Sequence, residues 1–211
     1  MLLKWIVCST TKEMQTAFST AQEQWAALKG LPGFLGQVGG WNSKNPFQAG
    51  ILSCWQDETA YQHFMQHIHD DVYRRSDQRQ TYLSIAVTLF KGILAIPGSA
   101  VDFLSALSQG SILRVTDSHV FPEQRQTFEQ NQRMIWNPGM AEAGGMLGGV
   151  CAQAIEDPSR YLVASLWDDA QAHQAYLQTA FPLLRERAQL PQSIQHIEGW
   201  VMQLEKSWQV I

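Results

Sequence analysis

The stretch HFMQHIHDDVYRR, residues 63–75, gathers three histidines, two aspartates and two arginines within thirteen positions. Histidine titrates near neutral pH and is the commonest general acid or base, and a nearby carboxylate such as Asp70 orients an imidazole. Two histidines at i and i+4, as His63 and His67 stand, are also the spacing of helical zinc ligands. At 100° per residue, Tyr61, Phe64, Ile68 and Val72 share one apolar face, with Met65 at its edge. His63, His67, Asp70 and Arg74 form a stripe about 120° from the apolar centre, and His69 falls near the opposite border. Three histidines so divided do not converge on one metal ion, and no third or fourth ligand is evident. A metal site is not expected; His63, His67, His69 and Asp70 stand as acid/base candidates.

The elements that must position these groups occur twice. Leu35 and Leu147, Gly36 and Gly148, Trp55 and Trp167, Asp57 and Asp169, and Ala60 and Ala172 are each 112 residues apart. Trp25 and Trp136 are 111 apart, which marks a one-residue insertion before the glycines. Each repeat has the order strand, helix, strand, strand, helix, strand. LLKWIVC is rich in β-formers, and Ser9, Thr10 or Thr11 is placed to cap the helix KEMQTAFSTAQEQWAALKG. FLGQVGGW and AGILSCW are strands around the turn residues NSKNP, a second helix begins near Asp57, and YLSIAVTLF closes the repeat.

In the second repeat SILRVTDSHVF is a strand, and PEQRQTFEQNQRMIW is a helix with proline at its first position. GGMLGGVCAQAI and RYLVASLW are strands. DDAQAHQAYLQTAFPLLRERAQ is a helix that Pro182 should kink or split, and IEGWVMQLEKSWQVI ends the chain extended. The divisions are 1–91, a linker with a short helix over 92–110, and 111–211. The repeat is an internal control on the histidines: His63 becomes Ala175, His67 Thr179, His69 Phe181 and Asp70 Pro182. The fold does not require them: either the first repeat alone holds a site, or the stripe faces solvent and is free to vary. Cys54 is replaced by Leu166, which reads as a buried thiol rather than a nucleophile.

Composition removes other classes. A net charge of −4 and a pI near 5.8 give no footprint for nucleic acid, and no apolar run reaches the roughly 18 residues of a membrane helix. The three cysteines are widely spaced and odd in number, against a disulfide framework. The expected location is the cytoplasm.

With KWIVC, GFLGQVGGWN and CWQDETAYQHFMQHIHD, the chain resembles the dimeric α/β-barrel superfamily, and within it the antibiotic-biosynthesis-monooxygenase branch. The resemblance implies an α+β fold of two ferredoxin-like βαββαβ domains that form a pseudo-dimeric α/β barrel on one chain. It implies a monomer, or a further homodimer, that acts without a cofactor on a small apolar or aromatic molecule. By resemblance the site lies between sheet and helices of the first repeat, with the histidines as bases and Trp5, Trp25, Trp41 and Phe64 as walls. A non-catalytic ligand-binding or stress-response module and a haem-degrading enzyme are the other functions this superfamily offers. The haem-degrading pattern departs here, because the first strand offers no asparagine and Phe64 takes the place of a helix tryptophan.

Overall fold

We describe the chain from a computed structural model in which residues 1–189 and 193–211 are placed. It divides into two compact units, Met1–Leu89 with Met202–Ile211, and Phe90–Val201. These units differ from the sequence division at both ends of the second repeat, since Met202–Ile211 groups with the first.

The first unit contains β1 (Leu2–Ser9), α1 (Gln15–Glu23), β2 (Phe34–Asn42), β3 (Asn45–Trp55), α2 (Glu58–His67), α3 (His69–Arg75) and the start of β4 (Ser84–Ile96). Its strands lie in the order β4-β1-β3-β2. β1 and β3 are antiparallel, Leu2 opposite Trp55 and Cys8 opposite Ala49. Side chains alternate across a strand, so Leu2, Lys4, Ile6 and Cys8 share a face with Trp55, Ser53, Ile51 and Ala49. The helices cover that face through a core of Leu2, Trp25, Leu28, Trp55, Tyr61, Phe64 and Val72.

The second unit holds α4 (Phe103–Gln109), β5 (Ile112–Val120), α5 (Arg125–Asn131), α6 (Asn137–Ala141), β6 (Met146–Ala154), β7 (Arg160–Trp167), α7 (Ala170–Gln178), α8 (Ala180–Arg187) and most of β8 (Ile194–Leu204). Its strand order is β8-β5-β7-β6, and Phe90–Ile96 of β4 pairs with β6. β4 therefore runs beyond YLSIAVTLF into the expected linker, of which α4 is the short helix.

The repeat is visible in detail. Asp57 Oδ1 accepts from the Ala60 amide at 2.9 Å, and Asp169 Oδ1 from that of Ala172 at 2.8 Å, so each second helix has an aspartate cap. Gly33 and Gly145 both have positive φ, +75° and +78°. A Cβ on either would run into the Cβ of Ala60 or Ala172. The first helices of the two units also continue differently. Where the first unit tightens into a 3₁₀ turn over Gln24–Leu28, the second has a π turn over Gln132–Trp136, ahead of Pro138. A π turn accommodates one extra residue without ending a helix, and proline, lacking an N–H, cannot complete the ordinary ladder.

Three expectations are corrected. Ser9, Thr10 and Thr11 do not cap α1, which starts behind Met14 with no side-chain cap; the Thr10 hydroxyl donates instead to the Phe47 carbonyl at 3.0 Å. The C-terminal segment is extended only to Leu204, then turns through Lys206–Trp208 and buries Trp208. The second helix of the first repeat is split as well as that of the second, where Pro182 led to the expectation of a kink or split. The break falls at Ile68 (φ −129°, ψ −40°) in the first and at Thr179 in the second, three residues before Pro182. Pro182 then sits in the first turn of α8, where its missing N–H costs no bond. Proline does not account for the break at Ile68, and nothing else in the structure does.

Candidate functional site

Between the sheet and the helices of the first unit lies a cavity of about 470 Å³. Trp25, Trp55, Tyr61 and Phe64 form its apolar wall, and Lys4, Gln78, His69 and Tyr73 bring polar atoms to it. A few convergent polar groups in an apolar cavity of this size are the usual make-up of a small-molecule site.

His69 reaches the cavity because of the break at Ile68. A single continuous helix placed it on the border of the apolar face, but α3 restarts at His69 and turns its ring inward among aromatic neighbours. The imidazole is stacked on Tyr73 at 15° with ring centroids 5.7 Å apart, lies 5.6 Å from Trp25, and meets Phe64 edge-on at 5.7 Å. Its side chain is 20% exposed. Nδ1 is 2.9 Å from Asp70 Oδ1. An ionised carboxylate only accepts, so Nδ1–H donates to Asp70 and Nε2 is left as the basic nitrogen. Asp70 is itself 82% exposed, so water weakens this hold.

The rest of the wall is fixed by hydrogen bonds. Trp25 Nε1 donates to Gln78 Oε1 at 2.7 Å, and Gln78 Nε2 to Gln22 Oε1 at 3.1 Å, all three residues buried. The hydroxyls of Tyr73 and Tyr82 are 2.7 Å apart, and burial together with that bond pushes the Tyr82 phenol up. Cys8, also in the lining, has its thiol pushed up to about 12 by burial, far from the thiolate a nucleophile needs. Cys54 and Cys151 are likewise buried, free and raised to about 12.

Of the other residues singled out from sequence, Trp25 and Phe64 line the cavity, whereas Trp5 and Trp41 do not. Trp5 lies on the opposite face of β1, against Gly50 and Met202. Trp41 packs on Phe18 and Trp208 at 5.6 and 5.2 Å. His63 and His67 are exposed, their rings 4.5 Å apart on the solvent side of α2. Among the described residues no three histidines, cysteines or carboxylates gather as a metal site would require, and no helix is long and apolar enough to cross a membrane.

One lining residue was overlooked. Lys4 is 8% exposed, with Nζ 5.5 Å from the centre of the Tyr61 ring. Burial lowers its ammonium from 10.5 to about 8, partly countered by Cys8. The signal was present in LLKWIVC, a charged residue on the buried face of an otherwise apolar strand.

The second unit shows what the same framework does without a cavity. Only about 50 Å³ remains at the corresponding place. Phe181 occupies the position of His69, packed on Trp136 at 5.6 Å, with the Arg114 guanidinium 5.6 Å from its ring.

Residues 111–181 match the antibiotic biosynthesis monooxygenase family, and residues 2–90 match a domain of unknown function, DUF4937. The chain is 41% identical over 93 residues to the uncharacterized protein YdbC of Bacillus subtilis (strain 168), a match spanning 43% of this chain and 78% of YdbC. The chain belongs to the YdbC family, and its second half carries the match to the antibiotic biosynthesis monooxygenase family. Solved structures share the fold over nearly the whole length. A candidate monooxygenase from Fusobacterium nucleatum subsp. nucleatum gives a TM-score of 0.78 at 12% identity, over 97% of this chain and 92% of its own. An anthrone oxidase-like protein gives 0.72 at 14% identity, over 97% and 91%. A haem-degrading enzyme from Listeria monocytogenes gives 0.50 at 12%, over 93% and 97%. At these identities the likeness concerns fold alone.

Proposed function

We propose that the first unit, read as a ferredoxin-like domain, binds a small, largely aromatic molecule in its cavity and carries out monooxygenase-like chemistry on it. The observation that carries this reading is His69, held by Asp70 through Nδ1 at the wall of an otherwise apolar cavity. In this scheme Nε2 removes a proton from an acidic CH₂ of the substrate, and the carbanion passes its electrons to molecular oxygen. One oxygen atom stays on carbon as a carbonyl and the other leaves as water, so that CH₂ and O₂ give C=O and H₂O. The apolar walls orient the ring and keep water from quenching the carbanion. A positioned base of this kind contributes typically 10²–10⁴-fold.

Anthrone, whose central CH₂ is acidic, is a suitable probe, followed by oxygen uptake and by absorbance of the quinone. His69→Ala is expected to lower turnover by about 10²-fold or more, with bound anthrone retained. Asp70→Asn is expected to lower it only several-fold, because water already screens that contact. The double replacement of His63 and His67 by Ala should leave it unchanged. Turnover insensitive to His69→Ala would refute the assigned base. The exposure of Asp70 favours a second reading, a binding module without turnover: anthrone then binds at one equivalent while oxygen consumption stays at background. Haemin added as a third ligand, read by its absorption band, separates the haem-degrading alternative from both.

A further inference from the structure

Lys4 and Arg114 occupy the same place in the two units. Lys4 pairs across the ladder with Ser53, and Arg114 with Ser165. Each of these serine hydroxyls accepts from a tryptophan two residues on, Trp55 Nε1 at 3.3 Å and Trp167 Nε1 at 3.0 Å. What the two positions share is positive charge rather than size or nucleophilicity. In the second unit the cation is spent on the face of Phe181, at 5.6 Å. In the first, His69 stands at the position of Phe181 and the cavity remains open, with Lys4 in its lining.

Burying a cation is unfavourable unless something negative meets it. Among the described residues no ion pair includes Lys4. The titratable groups that share its cavity are Cys8 on its own strand, Tyr61 on α2, His69 and Tyr73 on α3, and Tyr82 ahead of β4, beside the neutral polar side chains of Gln22, Gln37, Ser53 and Gln78. None of them is a carboxylate. The ring of Tyr61 lies 5.5 Å from Nζ, and its π-face is a weak substitute for an anion. The negative charge that Lys4 lacks within the protein has room to arrive with a ligand.

We infer that Lys4 is a recognition residue for an anionic oxygen, and that the cavity takes a planar aromatic molecule ionised at an exocyclic hydroxyl or carboxyl group. This rests on the proposed function and narrows its substrate class from aromatic molecules in general to aromatic weak acids. With the oxyanion on the ammonium, the aromatic ring lies among Trp25, Trp55 and Phe64. With the oxyanion fixed on the ammonium, the placement of Lys4 and His69 in one cavity sets which edge of the ring faces the base.

The test uses the full chain, three probes and two variants. The probes are 4-nitro-1-naphthol, whose phenolate absorbs in the visible, 1-naphthoate, and neutral 1-methylnaphthalene. The unaltered chain is expected to bind the naphthol as its phenolate, visible as a lowered apparent pKa of the bound dye. Lys4→Met is expected to weaken phenolate binding about 10- to 100-fold and to abolish the pKa shift of the dye, while 1-methylnaphthalene binds within about twofold of before. Lys4→Arg is expected to keep the shift. A parallel loss for 1-naphthoate extends the class to aromatic carboxylates; naphthoate binding no better than 1-methylnaphthalene confines it to phenols and enols. Phenolate binding unchanged in Lys4→Met, or an equal loss for the neutral probe, overturns the inference and leaves the proposed function standing. If none of the three probes binds the unaltered chain, the cavity is not an aromatic site and both fall.

Discussion

Lys4→Met is expected to melt above the unaltered chain at pH 7, although it removes a residue proposed to matter for binding. The lysine is held at a folded pKa of about 8 against an ordinary 10.5, chiefly by burial. At about 1.36 kcal/mol per unit, that shift is an unfavourable contribution of about 3 kcal/mol. Methionine has a similar reach and no charge, so it fills the same space without this cost. For a chain of this size, about 2–4 °C per kcal/mol gives a gain of roughly 6–12 °C.

The pH dependence has a definite sign. Below pH 8 lysine is protonated in both folded and unfolded chains, and the penalty is fully present. Between 8 and 10.5 the unfolded chain still binds the proton that the folded chain has released, so the lysine protein gains stability relative to the variant as pH rises. The advantage of Lys4→Met should therefore be largest at pH 7 and mostly gone by pH 10. Cys8, Tyr61, Tyr82, Tyr73 and His69 share the cavity and remain in both proteins, so the substitution changes Lys4 alone. Scanning calorimetry of both proteins from pH 6 to 10 measures it; equal melting temperatures at pH 7 would mean that water reaches Lys4 freely.

Gly33→Ala and Gly145→Ala are each expected to destabilise by about 2–5 kcal/mol, and by similar amounts. Positive φ costs an L-residue about 1–2 kcal/mol, and an added methyl in a filled space about 1–3 more. Both glycines carry both costs, since φ is +75° and +78° and a Cβ at either meets the side chain of Ala60 or Ala172. The two costs separate in a double variant. Adding Ala60→Gly to Gly33→Ala removes the collision but not the backbone strain, and should recover part of the loss, less the helix propensity that Ala60 supplied. Urea midpoints give the comparison. A single Gly→Ala change that stays within about 0.5 kcal/mol of the parent would show that the turn relaxes at that site.

The paired glycines also show why so much of the architecture could be read from the sequence. Asp57 and Asp169, Trp55 and Trp167, and Gly33 and Gly145 each answer a local need: a helix cap, a buried indole with a serine acceptor, a turn that admits no side chain. Such needs fix residue type, so they recur at constant spacing and reveal the repeat. The cavity was less legible, because it depends on departures from regular structure. A helical wheel assumes a continuous helix, and the break at Ile68 invalidates it for His69. Period-two alternation places Trp5 on the face of β1 away from the helices, yet an aromatic residue alone looks equally suited to either face. Lys4 is harder to see because a lysine in a strand ordinarily reads as an exposed edge residue; its equivalence to Arg114 marks it only once the two first strands are set in register.

The filling of the second unit by Phe181 has a consequence for binding curves. A homodimer built from two such domains would carry every pocket residue twice and offer two sites with scope for cooperation between them. Here the counterpart of the cavity has shrunk to about 50 Å³. A titration should therefore saturate at a single equivalent per chain along a simple hyperbola with a Hill coefficient near 1. A substitution in the pocket also has no twin: one changed codon alters the whole binding capacity of the molecule, with no intact second site to compensate.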